Sequence, residues 1–139
     1  MVFKMADFIL GMGKKFALQA MEISEKISLN REESLFEQGD PADHFYVLIK
    51  GAVELYLGET GPVVYTARHP GEVIGWSSLV GRNAFSASAR CKESVKLLRF
   101  DRDGFLDLLR KYPSNEALVF KRLAEMLGNR LLELYPSMT

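Results

Sequence analysis

The strongest constraint on the fold is a series of short apolar segments between residues 26 and 100, separated by turn residues. The segments HFYVLIKG and AVELYLGE are rich in β-branched and aromatic residues, which favour strands. The tripeptides GDP at 39–41 and TGP at 60–62 interrupt the series and favour turns. Many short strands with closely spaced turns are typical of an antiparallel barrel or jelly roll.

Helix-prone segments flank this β region. Apolar residues recur at helical spacing from about residue 5 to residue 24, and glycines weaken the middle, so we expect two short helices with a bend. After the last strand, Asp101 can cap one helix and Ser114 a second that reaches about Tyr135. The predicted fold class is mainly β with flanking helices: an antiparallel β-roll or jelly roll (double-stranded β-helix) with N-terminal helices and two C-terminal helices.

The predicted organisation is a single domain over residues 1–139. It places the N-terminal helices in 1–25, the β-roll in 26–100 and the C-terminal helices in 101–135. A chain of 139 residues with 47% hydrophobic and 26% charged residues suits one soluble domain with one core.

The charge balance and the cysteine count exclude several classes of partner and location. Eighteen basic and eighteen acidic residues give no net charge, and hence no long-range attraction to nucleic acid or to an anionic membrane. No apolar run approaches the roughly 20 residues of a membrane span. The one cysteine, Cys91, excludes an internal disulfide and suits a reducing compartment. We therefore expect a cytoplasmic protein with neither nucleic acid nor membrane as a direct partner.

Catalytic chemistry has little support in the sequence. Two histidines are too few for the converging ligands of a typical metal site on such a roll. Asp43 and His44 are adjacent and would lie on opposite faces of a strand, and no G-x-S-x-G motif frames a nucleophilic serine. We expect a protein that is not an enzyme and has no metal site.

The segment 71–90, GEVIGWSSLVGRNAFSASAR, carries the main functional signal. It combines a glycine turn, a short helix-capable stretch with two serines, and a run of small residues. Small residues allow close approach of a backbone to a ligand, and the exposed N–H groups at a helix start favour an anion. The segment is therefore a candidate binding site for a small anion.

With its flanks, this segment resembles the phosphate-binding cassette of cyclic-nucleotide-binding domains. LFEQGDPADHFYVLIKGAVELYL resembles the opening strands of that family, and SVKLLRFDRDGFLDLL its final strand and the helix that follows. The family includes catabolite-activator-type regulators, protein kinase A regulatory subunits and gated channels. The resemblance spans residues 26–135 and implies a β-roll and a cyclic nucleotide, or another small anion, as ligand. No cofactor follows with certainty.

The family pattern is Gly-Glu, then about ten residues, then Arg followed by small residues; the resemblance implies that Glu accepts the ribose hydroxyl and Arg pairs with the cyclic phosphate. Two registers fit. One uses Glu72 and Arg82, which have the right chemistry, but it fits the flanking strands poorly. The other begins at Gly75 and replaces the two side chains by Trp76 and Phe85; it aligns the small residues and the next strand without a gap, and we favour it.

In the favoured register, the pocket lacks the carboxylate and the guanidinium. Indole offers only a donor, and a phenyl ring offers no charge. Each lost charge-assisted contact is worth about 1.5–3 kcal/mol, so affinity for cAMP or cGMP is doubtful. The two aromatic side chains could equally fill the vacated space as part of the core. The candidate ligand-binding residues are Gly75, Trp76, Ser77, Ser78, Phe85, Ser86, Ala87 and Ser88, with Glu72 and Arg82 as alternative polar contacts.

The last predicted helix carries a second functional signal. A 4-3-4-3 spacing of apolar residues forms an a/d seam, typical of a dimer helix, although it also fits a helix that packs on its own roll. The resemblance to catabolite-activator-type regulators favours the homodimer. The seam residues are Phe120, Ala124, Leu127, Leu131 and Leu134.

These observations predict a non-catalytic regulatory or sensory domain of the cyclic-nucleotide-binding type with a divergent pocket. One alternative is a dimerisation or protein-interaction module that has lost its ligand. Another is the sensor part of a Crp-like transcription regulator without its DNA-binding domain, because only residues 136–139 follow the last helix.

Overall fold

Eight short strands form two antiparallel four-stranded sheets in the computed structural model, which describes residues 13–135. The first sheet has the order β1-β8-β3-β6 and the second the order β2-β7-β4-β5. The strands are β1 (Glu25–Leu29), β2 (Ser34–Phe36), β3 (His44–Lys50), β4 (Val53–Tyr56), β5 (Val63–Ala67), β6 (Val73–Ile74), β7 (Ser88–Cys91) and β8 (Val95–Asp101). The predicted antiparallel β-roll is confirmed.

The continuous apolar run of β3 reflects burial on both faces of the strand. Phe45 and Val47 point to a cluster shared with the helices, whereas Tyr46 and Leu48 point to a cluster between the two sheets. Because successive side chains of a strand alternate between its faces, a strand covered on both sides needs apolar residues at every position. β3 therefore joins the two halves of the core.

Aromatic rings dominate the cluster beneath the helices. Phe45 stacks on Phe100 with ring centroids 4.9 Å apart, and Phe105 meets Phe45 edge-on at the same distance. Phe16 approaches Phe105 at 6.0 Å and Tyr112 at 5.8 Å. Offset and edge-to-face pairs of this kind add to the free energy of simple burial, so this cluster fastens the helices to the first sheet.

The helices are α1 (Lys14–Ile23), α2 (Arg102–Arg110) and α3 (Pro113–Leu134). The predicted cap of α2 is present, since the Asp101 carboxylate accepts a hydrogen bond from the N–H of Gly104 at 2.8 Å. The prediction that Ser114 caps the last helix is wrong: α3 begins at Pro113, which has no N–H to satisfy at a helix start. The first part of the predicted bent N-terminal helix lies outside the described residues.

The turn between β3 and β4 requires glycine for two reasons. Gly51 has φ +105°, and a Cβ built there would lie 2.4 Å from the backbone oxygen of Ser94. Gly39, in the turn before β3, also has a positive φ of +93°, but a Cβ there would meet nothing within 4 Å. At Gly39 a side chain would therefore meet only backbone strain, whereas at Gly51 it would meet both backbone strain and steric overlap.

We expect Gly39→Ala to lower the free energy of unfolding by about 1–2 kcal/mol, because L-residues disfavour positive φ. Gly51→Ala should cost about 1–3 kcal/mol more, because the added methyl group also overlaps the backbone. Urea unfolding of both variants measures the difference. Equal losses would contradict the close approach at Gly51.

Candidate functional site

The candidate cassette begins where β6 ends in a left-handed glycine. Gly75 has φ +83° and precedes a 3-10 helix, Trp76–Val80, which ends at Gly81. A Cβ at Gly75 would lie 3.0 Å from the Phe85 ring. Glycine is thus needed here both for its backbone conformation and for the close approach of that ring.

Phe85 is a buried core residue. Its side chain is 6% exposed and its ring stacks on Phe36 with centroids 3.7 Å apart. Backbone hydrogen bonds of 3.0 Å hold the loop in place: the Phe85 N–H donates to the Asp40 carbonyl, and the Gly39 N–H donates to the Phe85 carbonyl. The predicted position of an anion-binding side chain therefore carries a ring packed between the sheets.

The four serine hydroxyls of the candidate site all have partners within the protein. Ser77 and Ser86 lie 3.2 Å apart, and Ser78 donates to the Gly75 carbonyl at 3.1 Å. Ser88 donates to a carbonyl of the β4–β5 hairpin at 2.6 Å and accepts from a backbone N–H at 2.9 Å. These hydroxyls stabilise the loop itself.

The space enclosed by the cassette is very small. A cavity of about 20 Å³ remains, enough for about one water molecule, whereas ligand sites usually offer about 300–1,000 Å³. Half-buried Trp76 lines this cavity and packs against the cluster beneath the helices. The residues around the cavity are Phe36, Leu55, Gly75, Trp76, Ser77, Phe85, Ser86 and Ala87.

A second cavity of about 410 Å³ lies beside the first, between the β4–β5 hairpin and α3. Its lining is mostly apolar, and Leu55 and Trp76 line both cavities. Ser86 and Ala87 of the cassette also reach it.

The alternative polar residues lie in different surroundings. Glu72 precedes β6, is 9% exposed, and accepts hydrogen bonds of 2.9 Å from the N–H groups of Arg68 and His69. Arg82 is exposed on the loop after the 3-10 helix. The carboxylate of Glu72 is directed at α3, where it meets Arg130.

Arg130 is a buried residue that the sequence analysis missed. Its guanidinium donates to the Val73 carbonyl at 2.6 Å, approaches Glu72 at 3.5 Å and lies 4.5 Å above the Tyr65 ring. Ion pairing and the cation–π contact offset the cost of burying this charge. The sequence pattern that could have identified Arg130 is a single arginine among the apolar residues along one face of the last helix.

The same network shifts two pKa values. Burial raises the pKa of Tyr65 to about 12, and its hydrogen bond to the Glu72 carboxylate adds to the rise. Burial also opposes ionisation of Glu72, but hydrogen bonds from Tyr65, His69 and Arg68, with the charge of Arg130, outweigh it and lower the pKa of Glu72. Glu72 is therefore an anion at neutral pH and fastens α3 to the roll.

Comparison with known proteins places this geometry in a family. Residues 26–112 match the cyclic nucleotide-binding domain family. The chain belongs to that family. It is 36% identical over 101 residues to the cyclic AMP receptor protein of Thermus thermophilus, covering 71% of this chain and 45% of the receptor.

Two further relatives agree with this membership. The chain is 37% identical over 78 residues to the cAMP-dependent protein kinase regulatory subunit of Emericella nidulans, covering 55% of this chain and 18% of the subunit. A cyclic nucleotide-binding domain from Methylobacillus flagellatus has the same fold, with a TM-score of 0.85, 20% identity, and coverage of 98% of this chain and 81% of that one. The chain thus spans less than half the length of the two curated relatives.

The predicted seam of this cyclic nucleotide-binding domain is unevenly buried. Phe120 and Leu127 are half-buried, while Ala124 and Leu131 are exposed. Leu134 is 41% exposed. α3 packs on its own roll mainly through Val119, Leu123 and Arg130, which are buried, and Phe120 and Leu127 of the seam pack against the same core.

Two further features are absent from residues 13–135. No group of three or more histidine, cysteine, aspartate or glutamate side chains there could hold a metal ion. Within the same residues, no helix is long and apolar enough to cross a membrane.

We expect Glu72→Gln to lower the free energy of unfolding by about 1.5–3 kcal/mol at pH 7, because hydrogen bonds to a charged group are lost. Since the pKa of Glu72 is lower in the folded state, its stabilisation is present above its ordinary pKa of 4.5 and is lost as pH falls through the native value. Denaturant unfolding from pH 7 to pH 3 should show the two proteins converging.

Glu25→Gln is the matched control, because Glu25 pairs with Arg99 at the surface and its side chain is 61% exposed. It should change stability by less than about 1 kcal/mol. A stability gap between wild type and Glu72→Gln that stays constant below pH 4.5 would contradict the role of the Glu72 charge.

Proposed function

We propose that this domain is a regulatory sensor of the cyclic-nucleotide-binding type whose cassette does not bind cAMP or cGMP tightly. The observation that carries the proposal is the burial of Phe85, which stacks on Phe36 and puts a ring without charge where the family pattern has arginine. The site residues are the eight of the cassette, in the register that begins at Gly75.

Backbone geometry supports this register over the one that uses Glu72. Gly75 has the positive φ of a turn into the 3-10 helix, and β7 starts at Ser88, a few residues after Phe85. Glu72 already has four donors around its carboxylate, including Tyr65 and Arg130. A ribose hydroxyl would have to displace one of them.

Electrostatics supports weak binding in the same way. A cyclic phosphate needs a cation or converging donors, and Phe85 supplies neither. The cassette hydroxyls are already paired, and an arriving phosphate would have to break the contact between Ser77 and Ser86. The loss of each of the two charge-assisted contacts lowers the affinity by about tenfold to a few hundredfold. Cyclic nucleotides should therefore bind in the millimolar range.

Isothermal titration of wild type with cAMP and cGMP should give dissociation constants in the millimolar range or weaker binding. The double variant Trp76→Glu/Phe85→Arg should bind more tightly by about a hundredfold or more, because it returns both a carboxylate and a guanidinium to the cassette and each is worth about tenfold to a few hundredfold. Circular dichroism checks that the double variant is folded, since Phe85 is part of the core.

Arg82→Ala is the control for the alternative register and should leave the wild-type titration unchanged. Low-micromolar affinity in wild type that Arg82→Ala abolishes would contradict the proposal and favour Glu72 and Arg82 as the ligand contacts.

A second part of the proposal is a homodimer through α3. The exposed side chains of Leu131 and Leu134 continue the 4-3-4-3 seam beyond the part of the helix that the roll buries. A seam of this spacing suits a parallel pair of helices. The same α3 seam would serve the two alternative functions, a protein-interaction module that has lost its ligand and the sensor part of a Crp-like regulator.

We expect sedimentation equilibrium at tens of micromolar to give about twice the chain mass of 15.7 kDa. Leu131→Glu should shift the mass to that of the monomer, because it places charges in the seam. Leu132→Glu is the matched control, at 57% exposure and off the seam, and should leave the mass unchanged. A monomeric wild type would contradict the dimer.

The remaining parts of the proposal concern the context of the domain. A non-catalytic role and a cytoplasmic location fit the relatives, whose names describe a receptor and a kinase regulatory subunit. Cys91 is buried, and burial raises the pKa of its thiol to about 11, which keeps it in the unreactive form. Neither nucleic acid nor membrane is proposed as a direct partner of this domain.

A further inference from the structure

We propose that a separate cavity, between the β5–β6 turn and α3, binds a short peptide whose amino and carboxyl termini are both free. The cavity has a volume of about 360 Å³, which is in the usual range of small-molecule sites. Residues 69–72 of the turn, Tyr65 of β5 and one side of α3 line it. It is called the turn cavity below. The inference goes beyond the proposed function, because it does not depend on what the cassette binds.

Arg122 is the unpaired cation of the turn cavity. Its side chain is half-buried, and its Nε is buried without a hydrogen-bond partner. Within residues 13–135 it forms no ion pair, whereas Arg130, which lines the same cavity, is paired with Glu72. A half-buried guanidinium with an unmet donor gains free energy from an acceptor, and a carboxylate suits it best. This end of the cavity is therefore suited to the carboxyl terminus of a ligand.

The unpaired carboxylates of the turn cavity are Glu125 and Glu133, which are both exposed. Neither forms an ion pair with another described residue. Burial is the main cause of the raised pKa of Tyr65, and the charge of Glu133 adds to it, so Glu133 lies near that side chain. An anion would be repelled by these carboxylates and a cation by Arg122, whereas a zwitterion can pair with both signs of charge.

The spacing of the charges favours a peptide over a single amino acid. Arg122 and Glu133 are separated by about 16 Å along the axis of α3. An extended peptide spans about 3.3–3.6 Å per residue, so two or three residues and the two long side chains together cover this distance. Asn129 lies between the two poles and offers a donor and an acceptor to a peptide group. Met126 and Pro70 offer apolar surface to a small side chain.

The turn cavity is distinct from the two surfaces already described. None of the cassette residues 75–88 lines it. With 3.6 residues per turn, Arg122, Asn129 and Glu133 lie on a different side of α3 from the seam, so a homodimer through the seam leaves the cavity open. An ion pair between Arg122 and Glu125 would compete with a ligand, but pairs at this spacing on a helix surface are weak.

The test is isothermal titration of the full chain with trialanine, with trialanine amide and with N-acetyl-trialanine. We expect saturable binding of one trialanine per chain, weakened about tenfold when either terminus is blocked, because one charge-assisted contact is lost. Arg122→Gln should weaken trialanine binding about tenfold and remove the difference between the free acid and the amide. Glu133→Gln should remove the difference between trialanine and its N-acetyl form. Lys121→Gln is the matched control, because Lys121 is exposed beside Arg122 and does not line the cavity, and it should have no effect.

Three results would overturn the inference. The first is the absence of saturable trialanine binding up to millimolar concentration. The second is equal affinity for trialanine and both of its blocked forms. The third is a variant with Arg122→Gln that still distinguishes the free acid from the amide, or a loss of affinity in Lys121→Gln as large as in Arg122→Gln. Because Arg122 and Glu133 lie outside the cassette, failure of peptide binding would leave the proposal of weak cyclic-nucleotide binding unchanged.

Discussion

The stack of Phe85 on Phe36 is the contact on which the candidate site depends. It joins the loop after the 3-10 helix to the inside of the roll, and a Cβ at Gly75 would lie only 3.0 Å from the Phe85 ring. The backbone pairing of Phe85 with Gly39 and Asp40 then fixes the turn before β3. A single aromatic residue therefore sets both the shape of the cassette and the small size of the space inside it.

The buried pair of Glu72 and Arg130 sets the position of α3 in a comparable way. Glu72 is held by backbone donors of the β5–β6 turn, so part of what fixes its carboxylate is independent of α3. Arg130 brings the helix to that charge and also contacts Tyr65 of β5 and the carbonyl of Val73. Arg130 also lines the cavity between the β4–β5 hairpin and α3, so the residue that anchors the helix forms part of that wall.

The sequence predicted the strands better than the contacts between distant residues. Apolar runs separated by turn tripeptides predict the strands, because both patterns lie within short stretches of sequence. β6 is only two residues long and leaves no periodic signal. The start of α3 was misplaced by two residues, because Tyr112 occupies the cap position that was predicted for Ser114, and serine at the cap and proline at the first helical position are both common. The Glu72–Arg130 pair joins residues 58 positions apart, and a single sequence taken alone contains no trace of such a pairing.

The register of the cassette shows how flanking structure and side-chain chemistry can disagree. Glu72 and Arg82 have the residue types that the family pattern asks for, and chemistry alone would select them. Their surroundings give them other roles, since Glu72 binds α3 and Arg82 faces solvent. Trp76 and Phe85 have the wrong chemistry for a phosphate but lie on the backbone that would hold one. Trp76 packs against the cluster beneath the helices and Phe85 against Phe36, so both side chains stabilise the roll on which the cassette is built.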